Sequence, residues 1–231
     1  MEYQKRRAED KHHETERRHT LLKEQALDIT PLNGKNFLWT GKNVDQFEDE
    51  FSFKKIKVRG IFDHTKEIQV EKFLNGEKGV QIITPFYTHL SDKGEEQAIL
   101  VNRGWVPQDF KDQRMHYGVN DGIEITGVLY RGDAKTKYSK PNDPLAHYYT
   151  RVDAYDFSVI DQLKNWEEAS KFMIYQIDEN EQTRQVLPSV PTADELTKWR
   201  ISPQRHEAYA NLWKSLTFGG IFANTLLWLY F

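Results

Sequence analysis

Hydrophobic and polar positions along the chain change their period twice, and each change marks a different kind of element. From Glu2 to about Ala26 charged side chains dominate at helical spacing, as in Glu2–Arg6 and Glu9–His13, with Arg17, Arg18 and Lys23 adding positive charge. A helix this polar is marginal by itself, so it is expected to dock on something, a partner subunit in particular. Thr30-Pro31 and Asn33-Gly34 mark a break. From Phe53 the period becomes two. Ile56 and Val58 alternate with Lys55, Lys57 and Arg59, and Ile68 and Val70 alternate with Glu67, Gln69 and Glu71, predicting two strands joined by a polar turn at Asp63-His64. Val80 to Phe86 reads as a third strand interrupted at Pro85, followed by a polar loop from Ser91 to Glu96. Ala98 to Val101 is apolar without alternation and predicts a strand buried on both faces. Ile123, Ile125 and Gly127 to Tyr130 predict another strand, Asp153 to Leu163 a helix with Asp153 or Asp156 near its cap, and Phe172 to Asp178 a last strand. Glu179 to Pro191 reads as irregular.

The final run, Leu212 to Phe231, is apolar almost throughout, with Lys214 near its start. At 1.5 Å per residue it would be roughly 30 Å long as a helix, the thickness of a bilayer's hydrocarbon core. Trp213 at one end and Trp228 with Tyr230 at the other resemble interfacial aromatics, and Gly219-Gly220 permits close helix approach. The expectation is a C-terminal transmembrane anchor. Short strands without a β-α-β rhythm complete the reading. It is an α+β fold, mainly antiparallel and barrel-like or sandwich-like, with a charged N-terminal helix and one transmembrane helix. The expected segments are 1–30, 31–205 and 206–231.

Composition narrows the chemistry. The 231 residues carry 32 basic and 35 acidic side chains, a net charge of -3, and no basic stripe interleaved with aromatics. Nucleic acid is therefore not an expected partner. Cysteine is absent, which removes disulfides, thiolate metal sites, C-x-x-C-H haem attachment and cysteine nucleophiles. No Walker loop, G-x-S-x-G, H-E-x-x-H or dinucleotide fingerprint occurs, so the chain is not expected to be an enzyme. His12, His13 and His19 are better explained as solvated helix residues than as metal ligands.

One ordered set of motifs is more specific. Ile82-Ile83-Thr84-Pro85-Phe86 is followed by Ile99-Leu100-Val101-Asn102-Arg103-Gly104-Trp105-Val106-Pro107. Upstream stands Val58-Arg59-Gly60-Ile61-Phe62-Asp63-His64-Thr65-Lys66-Glu67. Downstream come Ile125-Thr126-Gly127-Val128, Pro141-Asn142, Tyr149-Thr150-Arg151-Val152-Asp153 and the spacing of His206, Tyr209 and Trp213. Over roughly Phe53 to Phe231 this resembles the surfeit locus protein 1 family, the cytochrome c oxidase assembly factors. Beside the resemblance, Asn102, Arg103, Gly104, Trp105 and Pro107 have a structural reading. Gly104 permits a tight backbone, Pro107 stops a ladder, and Arg103 pairs with an internal carboxylate or faces a partner.

The resemblance implies a role in biogenesis of the oxidase, acting on its haem-bearing core subunit, or permanent retention as an accessory subunit of complex IV or its supercomplex. It implies core subunits of the oxidase and other respiratory-chain membrane subunits as partners. It also implies the mitochondrial inner membrane with the β domain in the intermembrane space, or alternatively a bacterial inner membrane with that domain on the periplasmic side. Lys198, Arg200, Arg205 and Lys214 ahead of the apolar run would bias the opposite orientation. The family's usual first membrane helix has no counterpart among these residues. Haem a handling is implied too, with His206 at the position proposed as iron ligand, and Tyr209 and Trp213 on roughly the same helix face to flank the ring. The plainer reading of His206 is an interfacial histidine among belt aromatics.

Overall fold

The structure, a computed structural model, describes residues 2–30, 36–90, 96–110, 122–137, 139–178, 187–199 and 202–230. The turn expected at Asn33-Gly34, the loop expected from Ser91 and the start of the irregular stretch at Glu179 lie outside the described residues. The chain divides into two units, one of Leu21–Ala193 and one of Met1–Thr20 with Asp194–Phe231.

In the larger unit, strands β1 (Leu27–Asp28), β2 (Lys55–Phe62), β3 (Ile68–Leu74), β4 (Glu77–Leu90), β5 (Glu96–Pro107), β6 (Ile123–Tyr130) and β7 (Met173–Gln176) form one seven-stranded sheet. Its order is β1-β2-β6-β7-β5-β4-β3. The β1–β2 and β5–β7 pairs are parallel and the others antiparallel. The expected barrel or sandwich is thereby corrected to a mixed sheet that is not a clear barrel. Among the described residues only Ile61–Tyr87 and Phe62–Phe86 bring β2 to β4. Gly60 makes this approach possible, because a Cβ there would sit 2.4 Å from the Tyr87 carbonyl oxygen.

The central strand shows why the run 98–101 has no alternation. Ile99 and Val101 join the apolar cluster of Trp39, Phe47, Phe62 and Phe172, while Ala98 and Leu100 join Val70, Ile83, Phe157 and Met173 on the other side. The first cluster is closed by α2 (Val44–Phe51), whose cap Asn43 accepts from the Asp45 and Gln46 amides at 3.0 and 3.1 Å. The second is closed by α3 (Ala154–Ile160), capped by Asp153, and by α4 (Trp166–Ala169).

Pro85 does not interrupt β4 as expected. It falls between Ile83, the last residue partnered by β3, and Phe86, the first partnered by β2, so its missing N–H coincides with a change of neighbour. Its carbonyl accepts from the Asp63 amide at 3.0 Å.

The smaller unit holds α1 (Glu2–Lys23) as far as Thr20, α5 (Ala193–Thr197) from Asp194 onward, and α6 (Pro203–Tyr230). Proline at the first helical position costs α6 no hydrogen bond. The helix α1 docks on its own chain. Gln4, His12 and Thr15 contact His206, Glu207 and Trp199 respectively, and Arg18 stacks over Trp199 with its Cζ 4.0 Å from the ring centre. The structure does not bear out the expected anchor: no helix among the described residues is long and apolar enough to cross a membrane. Length is not the deficit, since α6 has 28 residues. Its apolar residues are diluted by Lys214, Ser215, Thr217, Gly219, Gly220, Asn224 and Thr225. The Ser215, Thr217 and Thr225 hydroxyls donate to carbonyls one turn back, at 3.1, 2.8 and 2.8 Å.

Candidate functional site

In the larger unit the block from Asn102 to Pro107 occupies the second half of β5. Asn102, 1 % exposed, accepts from the Gly104 amide through Oδ1 and donates through Nδ2 to the Tyr130 hydroxyl, both at 3.1 Å. Burial pushes the Tyr130 phenol well above its ordinary pKa, against the pull of that Asn102 bond, so it is a neutral hydroxyl. Gly104 has φ +119°, and a Cβ there would meet the Ser189 carbonyl oxygen at 2.4 Å. The neighbouring Trp105 exchanges backbone bonds with Ser189 at 2.9 and 2.7 Å, and its indole N–H donates to the Lys72 carbonyl at 3.1 Å. Pro107 stands opposite Gly79 at the end of the strand.

Arg103 is fully buried. Its Nη1 donates to Glu67 Oε2 at 3.0 Å and lies 3.1 Å from His64 Nδ1, a geometry in which that ring nitrogen accepts. Thr84 Oγ1 also donates to Glu67 Oε2, at 3.4 Å, and the guanidinium carbon lies 5.0 Å from the Phe62 ring centre. Arg103 therefore has its carboxylate inside the fold. Sequence reading missed both of its companions. Glu67 was expected on the solvent face and is 3 % exposed by side chain, and His64, expected in a plain polar turn, is 8 % exposed. The signal available was the buried strand itself, since an arginine that ends it requires an acid nearby.

In the smaller unit, His206, Tyr209 and Trp213 share a face of α6 but not an environment. His206 is 6 % exposed, with Nδ1 2.7 Å from Gln4 Oε1, whereas Tyr209 and Trp213 are 41 % and 57 % exposed. Burial lowers the His206 pKa first, and the positive charges of Lys11 and Arg7 lower it further. The imidazole is thus neutral, the form that can bind iron, yet its ring is covered by α1. As arranged, the three residues do not fit a porphyrin. Among the described residues no group of three or more histidines or acids could hold a metal ion.

Both sets of residues fall within one family match. The model of the SURF1 family matches residues 3–218. The chain belongs to the SURF1 family. Among the relatives it is similar to, Surfeit locus protein 1 of Xenopus tropicalis is 32 % identical over 120 residues, covering 43 % of this chain and 38 % of the relative. Surfeit locus protein 1 of Arabidopsis thaliana is 21 % identical over 84 % of this chain and 65 % of the relative. A SURF1-like protein of Rickettsia prowazekii is 28 % identical over 57 % of this chain and 53 % of the relative. The chain thus spans less than two thirds of the length of these relatives. In this SURF1 family chain the polar atoms of the 102–107 block join β5 to Lys72 of β3, Tyr130 of β6 and Ser189.

Proposed function

We propose that this chain is a non-catalytic factor in the biogenesis of cytochrome c oxidase at an inner membrane, assisting maturation of a core subunit. Membership of the SURF1 family over 3–218 is the observation that carries the reading. The buried Arg103–Glu67–His64 network supports a scaffolding rather than a reactive use of the most specific motif. The distal half of α6 supports a contact with other apolar surfaces, because Phe218, Ile221, Phe222, Leu227 and Trp228 are all more than half exposed. The mitochondrial inner membrane, with the sheet unit in the intermembrane space, is the proposed location.

The same exposed apolar face favours a second reading, permanent retention as an accessory subunit of complex IV or its supercomplex. Haem a handling through His206 would need α1 to leave that histidine. The test is to remove the chain from its native cells and measure assembled oxidase on native gels, together with its stoichiometry in purified enzyme. Loss of assembly with trace stoichiometry supports the factor, and about one copy per enzyme supports the retained subunit. Unchanged oxidase with no association would overturn both. Comparison of haem a absorbance between the wild type and His206→Ala tests the haem reading separately.

A further inference from the structure

Beyond that role, two motifs of the sequence remain without a use: Pro141-Asn142 and Tyr149-Thr150-Arg151-Val152-Asp153. They meet at one place in the larger unit, where Lys72, Asp133, Ser139, Lys140, Thr150 and Arg151 line a cavity of about 270 Å³. We infer that this cavity is a binding site for the phosphate group of a small phosphorylated ligand.

The cavity walls are fixed before any ligand arrives. Asn142 clasps the two segments together: its Oδ1 accepts from the Thr150 and Arg151 amides, both at 3.1 Å, and its Nδ2 donates to the Arg151 carbonyl and to Asp156 Oδ2, both at 3.0 Å. The Glu71 amide donates to the Tyr149 carbonyl at 2.8 Å, which ties the same segment to β3 beside Lys72. Preorganisation of this kind lowers the ordering cost of binding.

The charges in the wall favour an anion. Among the described residues Asp133 is the one acid lining it, and that carboxylate is already engaged. Oδ2 pairs with the Lys72 ammonium and accepts from the Val152 amide at 2.8 Å. An ammonium has three donors, so Lys72 retains two for a ligand. Arg151 is 8 % exposed; Nη2 donates to Asp153 Oδ2 at 2.5 Å, while Nε has no hydrogen-bond partner among the described residues. Asp156 Oδ2 lies 3.7 Å from the same Nη2, so both acids hold one edge of the guanidinium. Lys140 is exposed and adds positive potential to the wall. Lys72, Lys140 and the Thr150 hydroxyl form a set of donors suited to a tetrahedral dianion with several acceptor oxygens, while Ser139 Oγ is engaged with the Thr136 amide and hydroxyl, both at 3.0 Å. The cavity exceeds the size of a phosphate group, which leaves room for a small organic part.

A free phosphate ester and the headgroup of an anionic phospholipid share this chemistry. The test uses the full chain, with calorimetric titration of inorganic phosphate and glycerol 3-phosphate at constant ionic strength. Lys140→Ala and Thr150→Val are compared with the wild type, and Lys198→Ala, an equal charge loss in the other unit, is the control. Wild type and Lys198→Ala are expected to bind both compounds, with Lys140→Ala weakened by roughly tenfold. Sedimentation with vesicles of phosphatidic acid in phosphatidylcholine separates the sources. Lys140-dependent sedimentation that glycerol 3-phosphate does not displace identifies the lipid headgroup, and displacement identifies the free ester. Binding of neither compound nor vesicle, or an equal loss in Lys198→Ala and Lys140→Ala, overturns the proposal.

Discussion

Arg103 Nη1 lies 3.0 Å from Glu67 Oε2, with the two side chains 0 % and 3 % exposed, so the ion pair is sealed within the sheet unit. Such a pair is informative when one member is removed, because the other then loses a buried partner of opposite charge.

Glu67→Ala is therefore expected to destabilise the sheet unit by about 3–5 kcal/mol, measured as a shift in denaturant midpoint at unchanged slope. The double variant Glu67→Leu with Arg103→Met should lose less than Glu67→Ala alone. A double variant worse than the single one would mean that packing, not charge, sets the loss.

Gly104→Ala puts a side chain where φ is +119° and the Ser189 carbonyl oxygen is 2.4 Å from the new Cβ. The Trp105–Ser189 bridge beside it must open. The expected cost exceeds about 1 kcal/mol, read as a lowered Tm. Gly76→Ala, at φ +89° with open space around it, isolates the backbone share of that cost.

Asp161 supplies a pH dependence. Burial pushes its carboxyl up to about 7, with Lys66 opposing and Asp63 adding to the rise. The folded state therefore binds the proton more tightly than the unfolded chain, whose carboxyl titrates near 3.8. Stability is full below the unfolded pKa, falls as pH rises through that window, and is lost once pH passes about 7. The loss is on the order of a few kcal/mol. Asp161→Asn should flatten this slope in denaturation midpoints taken from pH 4 to pH 8 and raise stability at the alkaline end.

In the smaller unit Trp199 is the contact that gathers α1. Its indole N–H donates to Thr15 Oγ1 at 2.8 Å, and Lys11 and Arg18 face its ring at 4.9 and 4.0 Å from the centre. Trp199→Ala should speed amide exchange across residues 2–20 by tenfold or more, consistent with losing ~1.4 kcal/mol or more of local stability. Exchange that stays slow would show that Gln4–His206 and the burial of Ala8 suffice to dock the helix.

How much of this was legible in the sequence depends on how local the cause is. The run Ala98–Val101 declared a two-sided strand because both neighbours of a central strand demand apolar side chains, and the two clusters divide it residue by residue. The helix α2 was missed although Asn43, Val44, Phe47 and Phe51 carry a cap and a helical period. The burial of His64 and Glu67 could not be read from their own segment. It is set by Arg103, 36 residues beyond Glu67. Pro85 misled because its meaning depends on which strand lies alongside. The C-terminal run was legible as one long helix, but its threonines, glycines and asparagine leave it short of the apolar character that a membrane crossing needs. At the candidate site, the sharing of one helix face by His206, Tyr209 and Trp213 was legible, but the cover that α1 places over His206 was not.

The position of β7 has a consequence for the order in which the chain is made. This short strand, Met173–Gln176, enters between β6 and β5, although both precede it in the sequence. During synthesis β5 therefore emerges with its neighbour β4 on one side and an open edge on the other. That edge waits until the ribosome has passed Gln176. Over this interval Leu100 and Val101 are the apolar centre of an unfinished sheet, a state prone to pairing with the wrong strand. The last few residues to be inserted, rather than the many already folded, complete the sheet unit.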